Sequence, residues 1–403
     1  HSLDTFAEVF INGQLTASTD NMHRTWVIPV KHLLKEGENE LRILFRSALK
    51  WAENYRAPEY KAVHYESPVT TVGNEAIRKA HSMFGWDWGA QLIDAGIQRE
   101  IELVAYSCSH ITDVLFTQLH EEGRVTLKTT VTVEGVGASK GKSGQKVQLL
   151  LTAPDGSTQT QEAVCTLKDE KNTAEMQILI ENPELWWPNG YGQHPLYEVK
   201  LTLVQPDGAK EEKEYRIGLR TLTVSQEKDE WGSEFAFCVN GIKIFAMGAN
   251  YIPEDCVYPR ITEQKLESLI RAAIRANYNC LRYWGGGYYP SDRFYELCDE
   301  YGLIVWQDLM FACNTYEFSE AFEKSVTAEI FDNVKRLRHH ACLGLWCGNN
   351  ELETAWVNWT DFDVCNEYVR ADYIKQFEYV LPKIMKEADS QTFYWPSSPS
   401  SGG

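Results

Sequence analysis

Closely spaced cysteines are missing from this chain. Its ten cysteines stand at 108, 165, 238, 256, 280, 298, 313, 342, 347 and 365, and no two form a C-x-x-C pair, so the usual signature of a structural zinc site is absent. In 403 residues they read mostly as small buried hydrophobes, with an occasional disulfide open to them in an oxidising compartment. Also missing is any apolar run near the roughly 18 residues of a membrane-spanning helix. The opening His-Ser-Leu-Asp-Thr-Phe has neither the basic nor the apolar region of a secretory leader. Positive charge is scarce: 39 Lys+Arg against 57 Asp+Glu leave a net charge of −18. With no Lys/Arg block to offset it, phosphate backbones and anionic membranes are repelled. Two catalytic or nucleotide signatures are lacking as well. There is no H-E-x-x-H, and in Gly285-Gly-Gly-Tyr-Tyr-Pro a proline stands where a dinucleotide loop needs its third glycine.

What is present is core material, 43% hydrophobic and 12% aromatic residues, enough for two to four domains. The first hundred residues alternate apolar and polar positions. Phe6 to Ile11 runs into Asn12-Gly13, a pair suited to a two-residue hairpin, and Trp26-Val-Ile-Pro-Val and Glu40-Leu-Arg-Ile-Leu-Phe-Arg read as further strands. A second strand-rich stretch starts near Ile111. It includes Arg124 to Val133, a flexible Gly/Ser/Lys run from Gly135 to Gly144, Val147 to Thr152 and Leu196 to Val204, the pattern of a β-sandwich.

Beyond about Leu222 helices and strands alternate. Leu266, Leu269, Ile270, Ala273 and Ile274 share a helical face before Asn279-Cys-Leu-Arg-Tyr-Trp. Ser291 can cap a helix that stops at Gly302, before Leu303-Ile-Val-Trp. Phe322, Val326, Ile330, Val334 and Leu337 form a stripe before Leu343-Gly-Leu-Trp-Cys-Gly, and Val380 to Ala388 precedes Thr392-Phe-Tyr-Trp. This spacing implies a parallel sheet, either doubly wound or a barrel, with strands around Phe245, Cys280, Ile304, Leu345 and Phe393.

In a β/α barrel the chemistry sits at the C-terminal strand ends. Here those ends pair aromatics with polar groups: Arg282-Tyr283-Trp284, Trp306-Gln307-Asp308 and Trp346-Cys-Gly-Asn349-Asn350-Glu351. A sugar pocket needs that combination, a ring for the C–H face and polar groups for the hydroxyls. Trp306 and Trp346 read as core, whereas Trp284, beside three glycines, reads as a pocket wall. Glu351 is the expected proton donor; taken alone, a glutamate there is also an ordinary helix-start carboxylate. Glu353 is too local to form a catalytic pair with it. His339-His340 reads as capping or packing, and Asn358-Trp359-Thr360 is a glycosylation sequon.

These residues, with Trp86-Asp87-Trp88-Gly89, Trp186-Trp187-Pro188-Asn189-Gly190-Tyr191-Gly192, Val239-Asn-Gly-Ile and Gly248-Ala-Asn-Tyr-Ile-Pro, form an ordered set. By that set the chain resembles glycoside hydrolase family 2, and within it the lysosomal β-mannosidases of animals, over essentially its whole length. The resemblance implies a multidomain β plus α/β fold: a partial jelly-roll, sugar-binding-like domain (1–107), an immunoglobulin-like sandwich (108–222) and part of a TIM (β/α)8 barrel (223–403). It implies Glu351 as general acid/base, Asn350 on the sugar's 2-hydroxyl, Trp284 stacked on the sugar and Trp359 closing over it, Arg282 in the pocket, and Asp87 reaching from the first domain to the outer hydroxyls of a terminal mannose. Without the resemblance, Asp87 reads as a turn residue between two buried tryptophans.

The implied activity is removal of terminal β-D-mannose from oligosaccharides in glycoprotein catabolism, with retention, without metal or organic cofactor, by a lysosomal and monomeric protein. Two alternatives stay open. One is another exo-acting family member, a β-galactosidase, β-glucuronidase or glucosaminidase; the other is a non-catalytic carbohydrate-binding fragment. The family's nucleophile, a second glutamate on a later strand, is expected beyond residue 403, and Asp308 reads as pocket floor rather than substitute. The chain is accordingly expected to be a fragment, cut within the jelly roll at its start and after five barrel strands at its end.

Overall fold

The computed structural model describes residues 1–55, 71–106, 108–135, 145–167, 171–359 and 367–400. Most of the Gly135 to Gly144 run, Cys365 and Thr360 of the sequon lie outside the described residues.

In the first β region Phe6–Ile11 is the central strand of an antiparallel sheet, between Gln14–Asp20 and Leu41–Phe45. Asn12 and Gly13 take φ of 49° and 82°, the left-handed pair a tight hairpin requires, and Ile11 faces Gln14 across it. Trp26 to Val30 corrects the expectation of a strand. It joins no ladder among the described residues, and Pro29 has no N–H to give one. The second β region packs a three-stranded sheet (Ser109–Glu121, Arg124–Gly135, Lys171–Glu181) on a four-stranded one (Gln145–Thr152, Thr158–Cys165, Tyr197–Val204, Lys210–Ile217). Inward residues at every second position, among them Val125, Leu127, Val131, Leu149, Val199 and Leu201, make one shared core.

The third region carries a parallel sheet of five strands: Gly248–Tyr251, Cys280–Tyr283, Ile304–Asp308, Leu343–Cys347 and Phe393–Trp395. Each pairs with its neighbour in chain order. An order without reversal has no switch point, so the sheet is an arc of a β/α barrel rather than a doubly wound sheet. The expected helices lie between the strands. Glu263–Arg275 is capped by the Thr262 hydroxyl, Asp292–Tyr301 starts at the Ser291 cap and ends at left-handed Gly302, and Glu320–Leu337 buries Val326, Ile330, Val334 and Leu337. None of the helices among the described residues is long and apolar enough to cross a membrane.

One strand is displaced from expectation. Phe245 is 77% exposed, and the apolar Ile242–Ile244 before it pairs antiparallel with Ala236–Val239; the barrel strand begins at Gly248. The hairpin sheet starts at Leu222, so residues 222 and 223 lie together in one strand, Leu222–Ser225.

The Trp186 to Gly192 stretch seals the sandwich to the barrel. Trp186 is fully buried in the barrel core and its indole N–H donates to Asp299 O (2.9 Å), while Asn189 donates to Tyr278 O (2.8 Å) and Gly302 O (2.7 Å). The first region is sealed by buried charge. Glu329 on the helix Glu320–Leu337 accepts Arg78 Nη2 (2.6 Å) and Nε (2.9 Å), Asn21 Nδ2 (3.0 Å) and Tyr289 OH (3.2 Å). Arg78 also lies over the Phe311 ring at 4.1 Å.

Candidate active site

The fourth strand, Leu343–Cys347, is buried at every position and delivers Gly348-Asn349-Asn350-Glu351 to the barrel's C-terminal face. Gly348 lies against the next strand's exit: a Cβ there would sit 2.3 Å from Pro396 O and 2.5 Å from the Tyr394 hydroxyl. Asn349 is consumed by the scaffold. Its Oδ1 accepts from Ser397 Oγ (2.7 Å) and the Leu352 N–H (3.1 Å), and its Nδ2 donates to Pro396 O (2.9 Å). Backbone bonds then stitch three strand ends together: Asn350 N–H to Phe311 O (2.9 Å), Cys313 N–H to Asn350 O (3.0 Å) and Glu351 N–H to Ser398 O (2.9 Å). Glu351 starts the helix Leu352–Asn358 in a left-handed conformation, φ 67°. A glutamate in that conformation is strained, so its position is set by the surrounding loops rather than by local preference.

Arg282, at the end of the second strand, organises the polar floor. Its Nη2 and Nε donate to Asp308 Oδ2 (2.7 Å) and Oδ1 (3.2 Å), Nη1 donates to Asn250 Oδ1 (3.2 Å), and Nη2 also reaches Asn350 Oδ1 (2.9 Å). Asp308 is fully buried and further accepts from the Gly285 N–H (3.0 Å) and the Trp306 indole (3.1 Å). Burial pushes its carboxyl up, and the Arg282 guanidinium pulls it back. A carboxylate occupied by this many donors supports the floor, as expected of it, and has little left to attack a substrate. Because a guanidinium only donates, Asn350 must present its oxygen to Arg282, which turns its amide N–H2 toward Cys313 Sγ (3.2 Å). The Cys313 thiol in turn donates to Glu351 Oε2 (3.4 Å).

The wall is aromatic and comes from both ends of the chain. Trp284 is packed with Trp86, Ala312 and Cys313, with half-buried Trp359 against them. Trp86 and Trp88 meet the Trp284 ring edge-on at 4.8 and 5.6 Å, from a tight turn closed by reciprocal bonds between Trp86 and Gly89. Asp87, at the tip of that turn, is exposed, and Trp88 leaves 40% of its surface open. The turn is seated on the barrel by Ser82 N–H to Gly286 O (2.9 Å) and by His81 Nε2 to Tyr316 OH (2.8 Å).

The structure therefore gathers Glu351, Asn350, Arg282, Trp284, Trp359 and the Asp87 turn at one mouth. Trp284, expected as a pocket wall, is only 6% exposed because Trp86 and Trp88 clad it, and Trp88 offers the freer ring. Trp88, 40% exposed, also departs from the picture of Asp87 between two buried tryptophans. Trp346 is core, as expected, but Trp306 is half-buried and serves Asp308. Glu353 lies in the helix's first turn and His340 bonds buried Asp299 (2.6 Å), both scaffold roles. Asn358 is exposed on the last turn, its amide on Thr354 Oγ1 (3.0 Å). Cys313 carries no sequence signal: nothing in Phe311-Ala-Cys marks it, since its place depends on a φ of 53° and on two other loops. Among the described residues no group of three or more His, Cys, Asp or Glu could hold a metal ion.

Residues 1–99 match the model of the glycosyl hydrolase 2 galactose-binding domain-like family, and residues 109–220 that of the glycosyl hydrolases family 2. Among curated relatives, β-mannosidase B of Emericella nidulans is 33% identical and that of Aspergillus fumigatus 35%, each over 415 residues, all of this chain and 48% of the relative. The chain thus spans about half the length of the curated relatives it matches. The β-D-mannosidase of Dictyoglomus thermophilum superposes with a TM-score of 0.90 at 35% identity, over 99% of this chain and 48% of that one. A Parabacteroides merdae β-glucuronidase superposes at 0.70 with 16% identity, over 98% of this chain and 44% of that one, a likeness of fold alone. With two family models side by side along the chain and a barrel arc that carries its polar groups at the strand ends, the chain belongs to glycosyl hydrolase family 2.

Proposed function

We propose that this chain carries the acid/base half of a β-mannosidase that removes terminal, non-reducing β-D-mannose from oligosaccharides with retention of configuration. One observation carries the reading. Asn350 and Glu351 stand side by side at the end of the fourth strand, the amide oriented by Arg282 and the carboxyl bonded by Cys313, under a turn that offers Asp87. The β-mannosidases among its relatives support the choice of sugar.

Glu351 protonates the glycosidic oxygen as the bond to the anomeric carbon breaks, and later takes a proton from water. Asn350 keeps one amide hydrogen on Cys313 and gives the other to the sugar's 2-hydroxyl, a bond that strengthens as positive charge develops on the ring. Trp88 and Trp284 cover the apolar face, and Asp87 accepts from the outer hydroxyls. No nucleophile is assigned to a residue of this chain. A lysosomal location, a role in N-glycan breakdown and a monomeric state extend the proposal; co-sedimentation with lysosomal markers and sedimentation equilibrium test them.

The decisive experiment replaces Glu351 by Gln in the native protein. The variant is expected to lose at least about 10³-fold on β-mannobiose, whose leaving group needs a proton, and far less on 2,4-dinitrophenyl β-mannoside, whose leaving group does not. Equal losses would remove Glu351 from the acid/base role. Faster turnover of aryl glycosides with an equatorial 2-hydroxyl would move the protein to another activity of its family, and sugar binding with no turnover would make it a lectin-like module.

A further inference from the structure

A proton donor works best when its proton sits on one defined oxygen aimed at the substrate. In this site hydrogen bonds run in a single direction toward Glu351. Arg282 can only donate, so Asn350 Oδ1 accepts at 2.9 Å and the amide nitrogen donates to Cys313 Sγ at 3.2 Å. With its lone pair engaged by the amide, the sulfur turns its S–H to Glu351 Oε2 at 3.4 Å. Burial pushes the thiol well above its ordinary range and the Glu351 carboxylate adds to the rise, so the sulfur keeps its proton and remains a donor. Cys313 is also fixed in place: it is buried against Trp284 and Trp86, its φ of 53° is held by the bond from its own N–H to Asn350 O, and the preceding Ala312 N–H donates to the Tyr316 hydroxyl (2.9 Å).

We propose that Cys313 is a positioning residue for the acid/base: its S–H occupies Oε2 of Glu351, so the transferable proton is carried on Oε1, facing the glycosidic oxygen. The inference rests on the acid/base role of Glu351 argued above. No electron or sulfur chemistry is involved. The proton leaves Oε1 for the departing oxygen, the S–H bond to Oε2 persists and strengthens as the carboxylate becomes anionic, and water restores the proton in the second half of the reaction. The competing account is that Cys313 is a small buried hydrophobe, as most free cysteines are.

The two accounts separate in the native protein carrying Cys313→Ala, which removes the donor, and Cys313→Ser, which keeps one. Positioning predicts that C313A loses about 10-fold in kcat/KM on β-mannobiose and no more than about 2-fold on 2,4-dinitrophenyl β-mannoside, and that C313S recovers to within about 3-fold on the first substrate. Should C313A not fold, as judged by circular dichroism, C313G, which suits the left-handed φ and also lacks a donor, carries the same expectation. A uniform loss on both substrates, or Ser and Ala behaving alike, overturns the proposal in favour of packing. Glu351→Gln, measured beside them, keeps the two levels apart. If it shows no dependence on leaving group the acid/base reading itself fails; if it shows that dependence and C313A does not, only the role of Cys313 falls.

Discussion

Glu329 and Arg78 are 251 residues apart, buried together, and join the first β region to the barrel. Replacing Glu329 by Gln leaves the Arg78 guanidinium, 3% exposed, without its counter-charge. Breaking one side of a buried pair costs about 3–5 kcal/mol. The substitution also turns one of two acceptor oxygens, which together take bonds from Arg78, Asn21 and Tyr289, into a donor that faces donors. Arg78→Met leaves Glu329 charged with Asn21 and Tyr289 still attached, and loses the contact over Phe311, about 2 kcal/mol when desolvated. Its cost falls in the same range. The double variant removes both charges and puts a side chain of similar length beside a neutral amide, so it should be less damaged than the sum of the singles by at least about 2 kcal/mol. Urea unfolding followed by tryptophan fluorescence measures this, the earliest transition being compared at constant slope because a multidomain chain need not unfold in one step. Additivity within about 0.5 kcal/mol would refute the claim that this ion pair is one coupled unit sealing the two regions.

Two further outcomes follow from the same interface and its neighbourhood. His23 and His81 are both buried, and burial, helped by the nearby Arg78 charge, holds each well below its ordinary range. The unfolded chain takes up protons at these groups near pH 6.5 while the folded one does not, so stability is lost as pH falls through that value, by up to about 1.4 kcal/mol per unit for each histidine. The midpoint of thermal unfolding should drop between pH 7.5 and 5, and His23→Leu should remove part of the drop; a flat profile would contradict the burial. Gly286→Ala would place a Cβ 1.8 Å from the Trp284 Cη2 and 2.2 Å from Cζ2. The indole must swing aside, so KM for β-mannosides is expected to rise about 10-fold with a stability cost of only about 1–3 kcal/mol, and unchanged kinetics would show that Trp284 does not shape the pocket.

Local chemistry made much of the barrel legible. Ser291 and Gly302 bracket their helix because one accepts a backbone N–H and the other tolerates φ of 72°, and the Val326, Ile330, Val334 stripe is buried as its period requires. The first barrel strand escaped for an equally local reason. Gly248-Ala-Asn-Tyr has no hydrophobic signal, because Asn250 is there to reach Arg282, while the more apolar Ile242–Ile244 belongs to a hairpin turned by Asn240-Gly241, whose φ of 49° and 81° suit that turn. In the site, Glu351, Asn350 and Arg282 were visible because strand ends announce themselves. Cys313 and the cladding of Trp284 were not, since both depend on segments more than 30 residues away meeting in space.

That dependence bears on how recognition and proton transfer are joined. The turn carrying Asp87 belongs to the first β region and Glu351 to the barrel, yet one side chain touches both sides. Tyr316 OH meets His81 Nε2 at 2.8 Å, below the Trp86 turn, and accepts the Ala312 N–H at 2.9 Å, next to the cysteine that bonds Glu351. Tyr316 therefore links the first region to the Ala312-Cys313 loop, which bonds at 3.0 and 3.4 Å join to Asn350 and Glu351. On the proposed reading, the contact of Asp87 with the outer sugar hydroxyls is tied to Glu351 rather than separate from it. On that reading, loosening the first region is expected to disturb Glu351, and the buried Arg78–Glu329 pair, which holds that region to the barrel, supports the geometry of the acid/base.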